Sequence, residues 1–417
     1  MREDARDAAG RVSEQRLWQR HTEMAEIGAI PGNGVNRAAL SKEDIAARRL
    51  LLSWAAQRKF AVSVDGIGNL FVRRAGTDAH AAPIMTGSHM DSQPRGGRFD
   101  GIYGVLAGFE ALEAMDEAGV TTRRPVEVVA WTNEEGGRFA PCTMGSMVFT
   151  GARPLADVLE VTDNDGVKLR DALAATLAAT PAAGKREFGS PAAGYIEAHI
   201  EQGPLLENAH KTIGVVTGIQ GLRWFNIEVS GKTDHAGTTP LALRKDAVRD
   251  AIAIINALTE LARDPADVTR FTVGRMLVTP NSPNSVASHV LFSVDLRHPD
   301  PVRIDELGAA VEPLARKAAK FCAVKVTPTL HDDPCVFNPQ VTDTVEDAAA
   351  RLDLPLMRLS SGASHDAMYM ARVCPTGMLF VPCEKGISHN EAENAAPADL
   401  AAGARVLTAA LVELANR

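Results

Sequence analysis

Residues 83–101, PIMTGSHMDSQPRGGRFDG, run from an apolar stretch straight into a polar, glycine-rich loop. The run Pro83 to Ser88 has the length of a buried strand, and the segment Tyr103 to Met115 that follows has helix-like apolar spacing. The same pattern flanks it, with apolar runs Phe60 to Val64 upstream and Val126 to Thr132 downstream. Strand alternating with helix predicts an α/β sheet. Such sheets place ligands beyond the carboxyl ends of their strands, so the residues just after each run are where chemistry is expected.

Further along, the pattern changes. Trp224 to Val229 reads as a strand, Arg244 to Leu261 as a helix, Phe271 to Val278 and His289 to Arg297 as strands, Val302 to Phe321 as a helix and Ala323 to Leu330 as a strand. This βαββαβ order is a ferredoxin-like signature. The earlier pattern then resumes at Leu354 to Leu359, Met378 to Val381 and a closing helix from Pro397, where proline suits the first helical turn. The expected architecture is a catalytic α/β domain with a central mixed sheet flanked by helices, split into residues 1–217 and 332–417. A ferredoxin-like domain, 218–331, is inserted between them. The Ala-rich Ala172 to Gly184 reads either as a helix with a loose end or as a surface excursion.

At 417 residues the chain is long for one domain, since about 150 residues per domain is usual. Its 45% hydrophobic and 23% charged residues are an ordinary globular balance. With 44 Lys+Arg against 52 Asp+Glu the net charge is −8, which argues against a broad basic surface for nucleic acid or anionic lipid. No run of about 18 apolar residues suggests a membrane span, and the charged segment Met1 to Glu26 lacks the apolar centre of a secretory signal. Five scattered cysteines, Cys142, Cys322, Cys335, Cys374 and Cys383, suit a reducing cytoplasm with free, mostly buried thiols.

Four apolar runs end in residues able to hold a cation or move a proton. The first exits at Gly87-Ser88-His89-Met90-Asp91, and Gly96 and Gly97 bring Asp100 back towards it. Imidazole with carboxylate suits zinc, manganese, cobalt or nickel; the plainer reading is that His89 ends a strand and Asp100 caps the next helix. The second exits at Asn133-Glu134-Glu135, whose adjacent carboxylates repel unless a cation or proton intervenes; solvated loop charges are the alternative. The third and fourth exit at His199-Ile200-Glu201-Gln202 and at Ser388-His389-Asn390-Glu391. Together, His89, Asp100, Glu135, His199 and His389 provide five ligands, the number that two metals sharing one bridging carboxylate require.

These segments, GSHMDSQPRGGRFDG, WTNEEGGRF, YIEAHIEQGPLLE, GKTDHAGTTP, PNSVASHVLFSVDLRHPD, SGASHDAM and GISHNEAEN, resemble the M20 metallopeptidase superfamily. Within it they are similar to the amidase branch: N-carbamoyl-L-amino-acid hydrolases, β-ureidopropionases and allantoate amidohydrolases. The resemblance extends from about Gly28 to the C-terminus, with the motifs in the same order. It implies that His89, Asp100 and His199 hold one divalent metal and that Glu135, Asp100 and His389 hold the other. Glu134 would be the general base, and Asp91 would orient the His89 ring. His199, where the peptidase branch usually has a carboxylate, favours the amidases.

By the same resemblance His235 stabilises the tetrahedral oxyanion, Asn284 and Arg297 bind the substrate's amide and carboxylate, and Gln202 contacts the carbamoyl-type group. His365 contacts substrate from the loop SGASHD, in which Ser364 replaces a glycine usual in the family and so narrows the pocket if the backbone approaches the substrate. The implied activity is hydrolysis of a linear, non-peptide C–N bond in a small ureido acid, by a cytoplasmic homodimer assembled through the inserted lid domain. Aminoacylase or carboxypeptidase activity on the same metals is the nearest alternative, and a binding protein that has lost catalysis is a more distant one. Two other features carry little. Ser230-Gly231-Lys232-Thr233 lacks the first glycine of a phosphate-binding loop, since Asn226 stands there. A thiol nucleophile at Cys142 or Cys383 would have no task beside a metal site.

Overall fold

The computed structural model describes all residues from Met1 to Arg417 and divides them into two compact units, Met1–Thr217 with Val336–Arg417, and Gly218–Cys335. In the first unit a ten-stranded mixed sheet is flanked by helices. Its centre consists of four adjacent parallel strands in the order Thr376–Val381, Gly194–Ile200, Ile84–His89 and Val126–Trp131. All four are buried throughout, which is why they read as continuous apolar runs rather than as alternating ones. Antiparallel neighbours, Ile213–Ile219 and Leu70–Arg74, flank this parallel centre.

The helices Ile102–Glu117 and Pro397–Ala415 are almost wholly buried and pack on the central strands. Gly104 lets the first approach closely, because a Cβ there would lie 2.4 Å from the Ala198 carbonyl oxygen. The Tyr103 hydroxyl donates to the Leu400 carbonyl at 2.9 Å and joins the two helices. The N-terminal segment, free of an apolar centre, forms helices Glu3–Gly10 and Glu14–Ala25 that pack on the C-terminal helix. The Ala-rich segment is a helix, Leu169–Ala179, followed by the short strand Gly184–Lys185. No helix is long and apolar enough to cross a membrane.

The second unit is a five-stranded antiparallel sheet carrying helices Ala247–Leu261 and Pro301–Ala318. Gly221–Ser230 lies between His289–His298 and Ala323–Asp332. On Gly221–Ser230, Phe225, Ile227 and Val229 are buried while Trp224 is exposed, the alternation of a sheet covered on one face. Val290, Phe292, Val294 and Leu296 join them against Ile254, Leu258, Ile304, Leu307 and Val311 of the helices.

Three details differ from expectation. The strand expected over Phe271 to Val278 is two, Arg270–Thr272 and Met276–Thr279, because Arg275 exchanges hydrogen bonds with Ser293 and interrupts the ladder between them. The helix expected from Arg244 starts at Ala247, where the Asp246 carboxylate accepts the Val248 and Arg249 N–H groups as an N-cap. None of the five cysteines is joined in a disulfide, but only Cys374 and Cys383 are buried, which corrects the expectation of mostly buried thiols. Cys142 is exposed because it lies on the loop after the Glu134–Glu135 exit rather than within a strand or helix.

Candidate active site

The four central strands run parallel, so their exits open on one edge of the sheet. His89 is the last residue of its strand, Glu134 and Glu135 follow Trp131, His199 and Gln202 sit at the end of the next strand, and His389 lies on the loop after Val381. Asp100 joins them from the loop before helix Ile102–Glu117. It does not cap that helix: Gly101 holds the N-cap position and no side chain accepts there. Gly101 has φ +65°, and a Cβ on it would strike the His89 ring at 2.2 Å, so only glycine lets this loop bring Asp100 against His89.

Asp100 faces two ways. Its Oδ1 lies 3.2 Å from His199 Nε2 and 3.7 Å from His89 Nε2, while Oδ2 lies 3.3 Å from His389 Nε2. His389 Nε2 is also 3.4 Å from Glu135 Oε2. His89, Asp100 and His199 therefore form one cluster and Asp100, Glu135 and His389 a second, each with its ligand atoms within 4.8 Å of one another. Glu134 Oε2 stands 3.4 Å from His89 Nε2 and completes the pocket's wall.

The second ring nitrogens decide what the first can do. His89 Nδ1 is 2.9 Å from the Asp91 carbonyl oxygen, and His199 Nδ1 is 2.9 Å from that of Ile200. A carbonyl can only accept, so each Nδ1 carries the proton of the neutral ring and each Nε2 presents a lone pair to the cluster. Asp91 thus orients His89 through its main chain. Its carboxylate, expected to do this, is 3.7 Å from the ring and instead accepts the N–H groups of Glu134 and Glu135, each at 3.2 Å.

Four carboxyl groups, Asp91, Asp100, Glu134 and Glu135, are packed together away from the surface. Burial, then the charges of Asp366 and Glu135, pushes Glu134 well above the ordinary carboxylate range. Burial and the Asp100 charge push Glu135 up to about 8. Asp100 lies well below its ordinary value despite its burial, because His199 and His389 in their charged forms donate to it, whereas their neutral rings offer it no such hydrogen. A buried surplus of negative charge beside lone-pair imidazoles is a donor set for divalent cations.

Several supporting residues were not picked out from the sequence. Gln93 donates from Nε2 to Glu135 Oε2 at 2.8 Å, and its N–H to Oε1 at 3.1 Å. Glu393 Oε1 accepts the N–H groups of Phe99 and Asp100, at 2.9 and 3.0 Å. A Cβ on Gly97 would fall 2.0 Å from that carboxyl group. Arg37, fully buried, donates to the Met90 carbonyl between His89 and Asp91, and to those of Met24 and Ile27. Only contact with the candidate ligands or the loops that carry them marks these residues, and their separation along the chain hides it.

Gln202 donates from Nε2 to Asp100 Oδ2 at 2.8 Å, which leaves its Oε1 buried and without a partner. His365 is buried, packs edge-on against His199 at 4.6 Å between ring centres and lies 3.0 Å from the Ser361 hydroxyl; Ser364 beside it is half-buried. Within the second unit, His235 and Asn284 are exposed on two segments linked by the Ala236 N–H to Asn284 carbonyl bond. The Arg297 fork rests on Asp295, with Nη2 2.8 Å and Nε 3.1 Å from its carboxylate. The Ser230-Gly231-Lys232-Thr233 segment is the end of strand Gly221–Ser230 and the irregular chain after it, tied to the Ser288 and Lys245 carbonyls, with no helix directly after it.

The chain matches the model of Peptidase family M20/M25/M40 over residues 85–413. It is 40% identical over 409 residues to an N-carbamoyl-L-amino-acid amidohydrolase of Rhizobium meliloti, covering 97% of each chain. It is 31% identical over 402 residues to a ureidoglycolate hydrolase of Arabidopsis thaliana, covering 94% of this chain and 84% of that one. Among solved structures it is similar to an amidase of the hydantoinase/carbamoylase family from Burkholderia multivorans, with TM-score 0.93 and 45% identity over 97% of this chain and 98% of the other.

Proposed function

Because the chain belongs to the M20/M25/M40 peptidase family, in its hydantoinase/carbamoylase amidase branch, we propose that its substrate is an N-carbamoyl amino acid or a related ureido acid. As a member of that branch it is a hydrolase of non-peptide carbon–nitrogen bonds. Gln202 carries the reading of a carbamoyl rather than an acyl substrate. Its Nε2 is committed to Asp100, so the unpartnered Oε1 beside the clusters can only accept. A carbamoyl NH2 supplies a donor there. An acetyl methyl group would leave the oxygen unsatisfied at a cost of about 1–3 kcal/mol, or roughly ten- to a hundredfold in preference.

The donor set fits two divalent ions such as zinc, manganese, cobalt or nickel. His89, Asp100 and His199 would hold one, and Asp100, Glu135 and His389 the other. When bound they supply Lewis-acid polarisation of the carbonyl and activation of water. Glu134, with its raised proton affinity, takes the proton of the attacking water and returns it to the departing nitrogen. His235 donates to the developing oxyanion, Asn284 binds the amide, and Arg297 receives the acid group on the guanidinium it shares with Asp295. His365 and Ser364 shape the substrate side of the pocket. A carbamoyl substrate yields the free amino acid, carbon dioxide and ammonia. We further propose a cytoplasmic homodimer assembled through the Gly218–Cys335 unit.

A screen with added divalent metal over N-carbamoyl α- and β-amino acids, allantoate and the matching N-acetyl amino acids tests the reading. The expected result is turnover of at least one ureido acid at ten or more times the kcat/KM of its acetyl counterpart. Preference for the acetyl compounds would replace it with the aminoacylase reading.

A further inference from the structure

Arg244 was expected inside a helix, but it precedes the helix and turns back on the loop that carries His235. Its Nε donates to the Thr239 carbonyl at 2.9 Å and its Nη2 to the Ala236 carbonyl at 2.5 Å. The loop closes around the guanidinium, with the Thr239 N–H donating to the His235 carbonyl at 3.2 Å. With these carbonyls held on Arg244, the intervening N–H groups point to the His235 ring: Gly237 and Thr238 both donate to Nδ1, at 3.0 and 3.2 Å. The loop is also tied to the Asn284 segment, through the Ala236 N–H to the Asn284 carbonyl, the Val286 N–H to the Asp234 carbonyl, and a bridge between His235 and Ser285.

A ring nitrogen that accepts two N–H bonds carries no proton, so the neutral His235 ring has its hydrogen on Nε2. Nε2 makes no hydrogen bond, and the exposed ring leaves it open. We propose that Arg244 is a positioning residue for catalysis, whose guanidinium clamps the 236–239 turn so that two backbone N–H groups hold His235 as a fixed Nε2–H donor. This rests on the reading of His235 as the oxyanion donor. In the opposite tautomer Nε2 would offer a lone pair to the oxyanion, and the donor would be lost. Because the oxyanion exists only in the transition state, loosening the clamp lowers kcat and leaves KM nearly unchanged.

The test pairs a structural and a kinetic reading on the full-length zinc-loaded protein. Nitrogen-15 NMR of labelled histidine, with the His235 signal assigned by its loss in His235→Gln, should show one neutral tautomer with Nδ1 unprotonated and hydrogen-bonded. In Arg244→Ala the same signal should move to the averaged position of a free imidazole. The kcat should fall about tenfold or more while KM, metal content and melting temperature stay near the parent's. Arg244→Lys, which reaches only one of the two carbonyls, should fall between the two and carries the comparison if Arg244→Ala does not fold. A parent His235 with Nδ1 protonated or averaged, or an Arg244 variant with an unchanged tautomer signal, would overturn the proposal. If the parent turns over no ureido acid, the functional reading fails, while the nitrogen-15 result still decides the clamp.

Discussion

Glu393 holds the two halves of the ligand set together, and replacing it should weaken metal binding in a way that depends on the replacement. Its Oε1 accepts the Phe99 and Asp100 N–H groups, and its Oε2 lies 2.9 Å from the Ser388 hydroxyl. That hydroxyl is also 3.0 Å from Asp100 Oδ2. One hydroxyl hydrogen cannot serve two carboxylates. The conflict resolves if Glu393 keeps a proton and donates to Ser388, which then donates to Asp100; burial and the Asp100 charge raise Glu393 to about 7, which permits this near neutrality. Glu393→Gln copies the protonated form, because the amide oxygen accepts the two N–H groups and the amide nitrogen donates to Ser388.

Glu393→Ala leaves both N–H groups buried and unpaired, at about 1–3 kcal/mol each. The share of that loss felt by the metals is that of a missing outer partner, roughly ten- to a hundredfold in affinity. Competition against a graded chelator, read by elemental analysis, should therefore place Glu393→Gln within about threefold of the parent and Glu393→Ala ten- to a hundredfold weaker. Equal weakening in both variants, or none in Glu393→Ala, would refute the relay through Ser388.

Glu134→Gln should keep its metals and lose several orders of magnitude in kcat, whereas His389→Ala should lose metal occupancy; activity and elemental analysis of the two variants separate base from ligand. Arg297→Lys should cost roughly a hundredfold in kcat/KM for an acid substrate and far less for its neutral amide analogue, compared in parent and variant. Equal losses on both would mean that Arg297 serves mainly its contact with Asp295. His21, 3% exposed and pushed by burial to about 3, folds as a neutral ring. Its stabilisation is complete above the unfolded value of about 6.5 and is lost as pH falls towards 3, about 2 kcal/mol of it by pH 5. Denaturant midpoints should thus fall less steeply between pH 6.5 and 5 in His21→Leu than in the parent, and parallel slopes would remove His21 from the acid sensitivity.

The four exits were legible because a parallel sheet buried on both faces writes each strand as an apolar run, and because ligand residue types stand directly after it. Asp91 shows the limit of that reading. Two residues from His89 it suggested a carboxylate–imidazole contact, but the chain leaves the strand at that point, and the carboxylate reaches the N–H groups of Glu134 and Glu135 on the neighbouring strand's exit. Gln93, Arg37 and Glu393 were illegible for a related reason. An amide, an arginine and a lone acid in loops have no chemistry by type, and each acquires its role from a partner brought close by the fold. The helix start was misplaced by three residues because Arg244 fits a helix by propensity, while the Asp246 cap and the two loop carbonyls decide otherwise.

His89, His199 and His235 are chemically identical, and sequence position alone does not say which is a ligand and which a donor. The backbone makes the distinction. Where Nδ1 meets a carbonyl, as in His89 and His199, the ring hydrogen is held there and Nε2 is left with a lone pair for a cation. Where Nδ1 meets two N–H groups, as in His235, the hydrogen is forced to Nε2, which can then donate to an oxyanion and cannot bind a metal without giving that hydrogen up. Whether the main chain beside a histidine presents C=O or N–H depends on its local turn. For His89 that is the exit from a buried strand with Arg37 holding the next carbonyl, and for His235 it is a Gly-Thr-Thr loop wrapped around Arg244. In two of these turns a carbonyl is held by an arginine that makes no hydrogen bond to the histidine itself, Arg37 beside His89 and Arg244 beside His235.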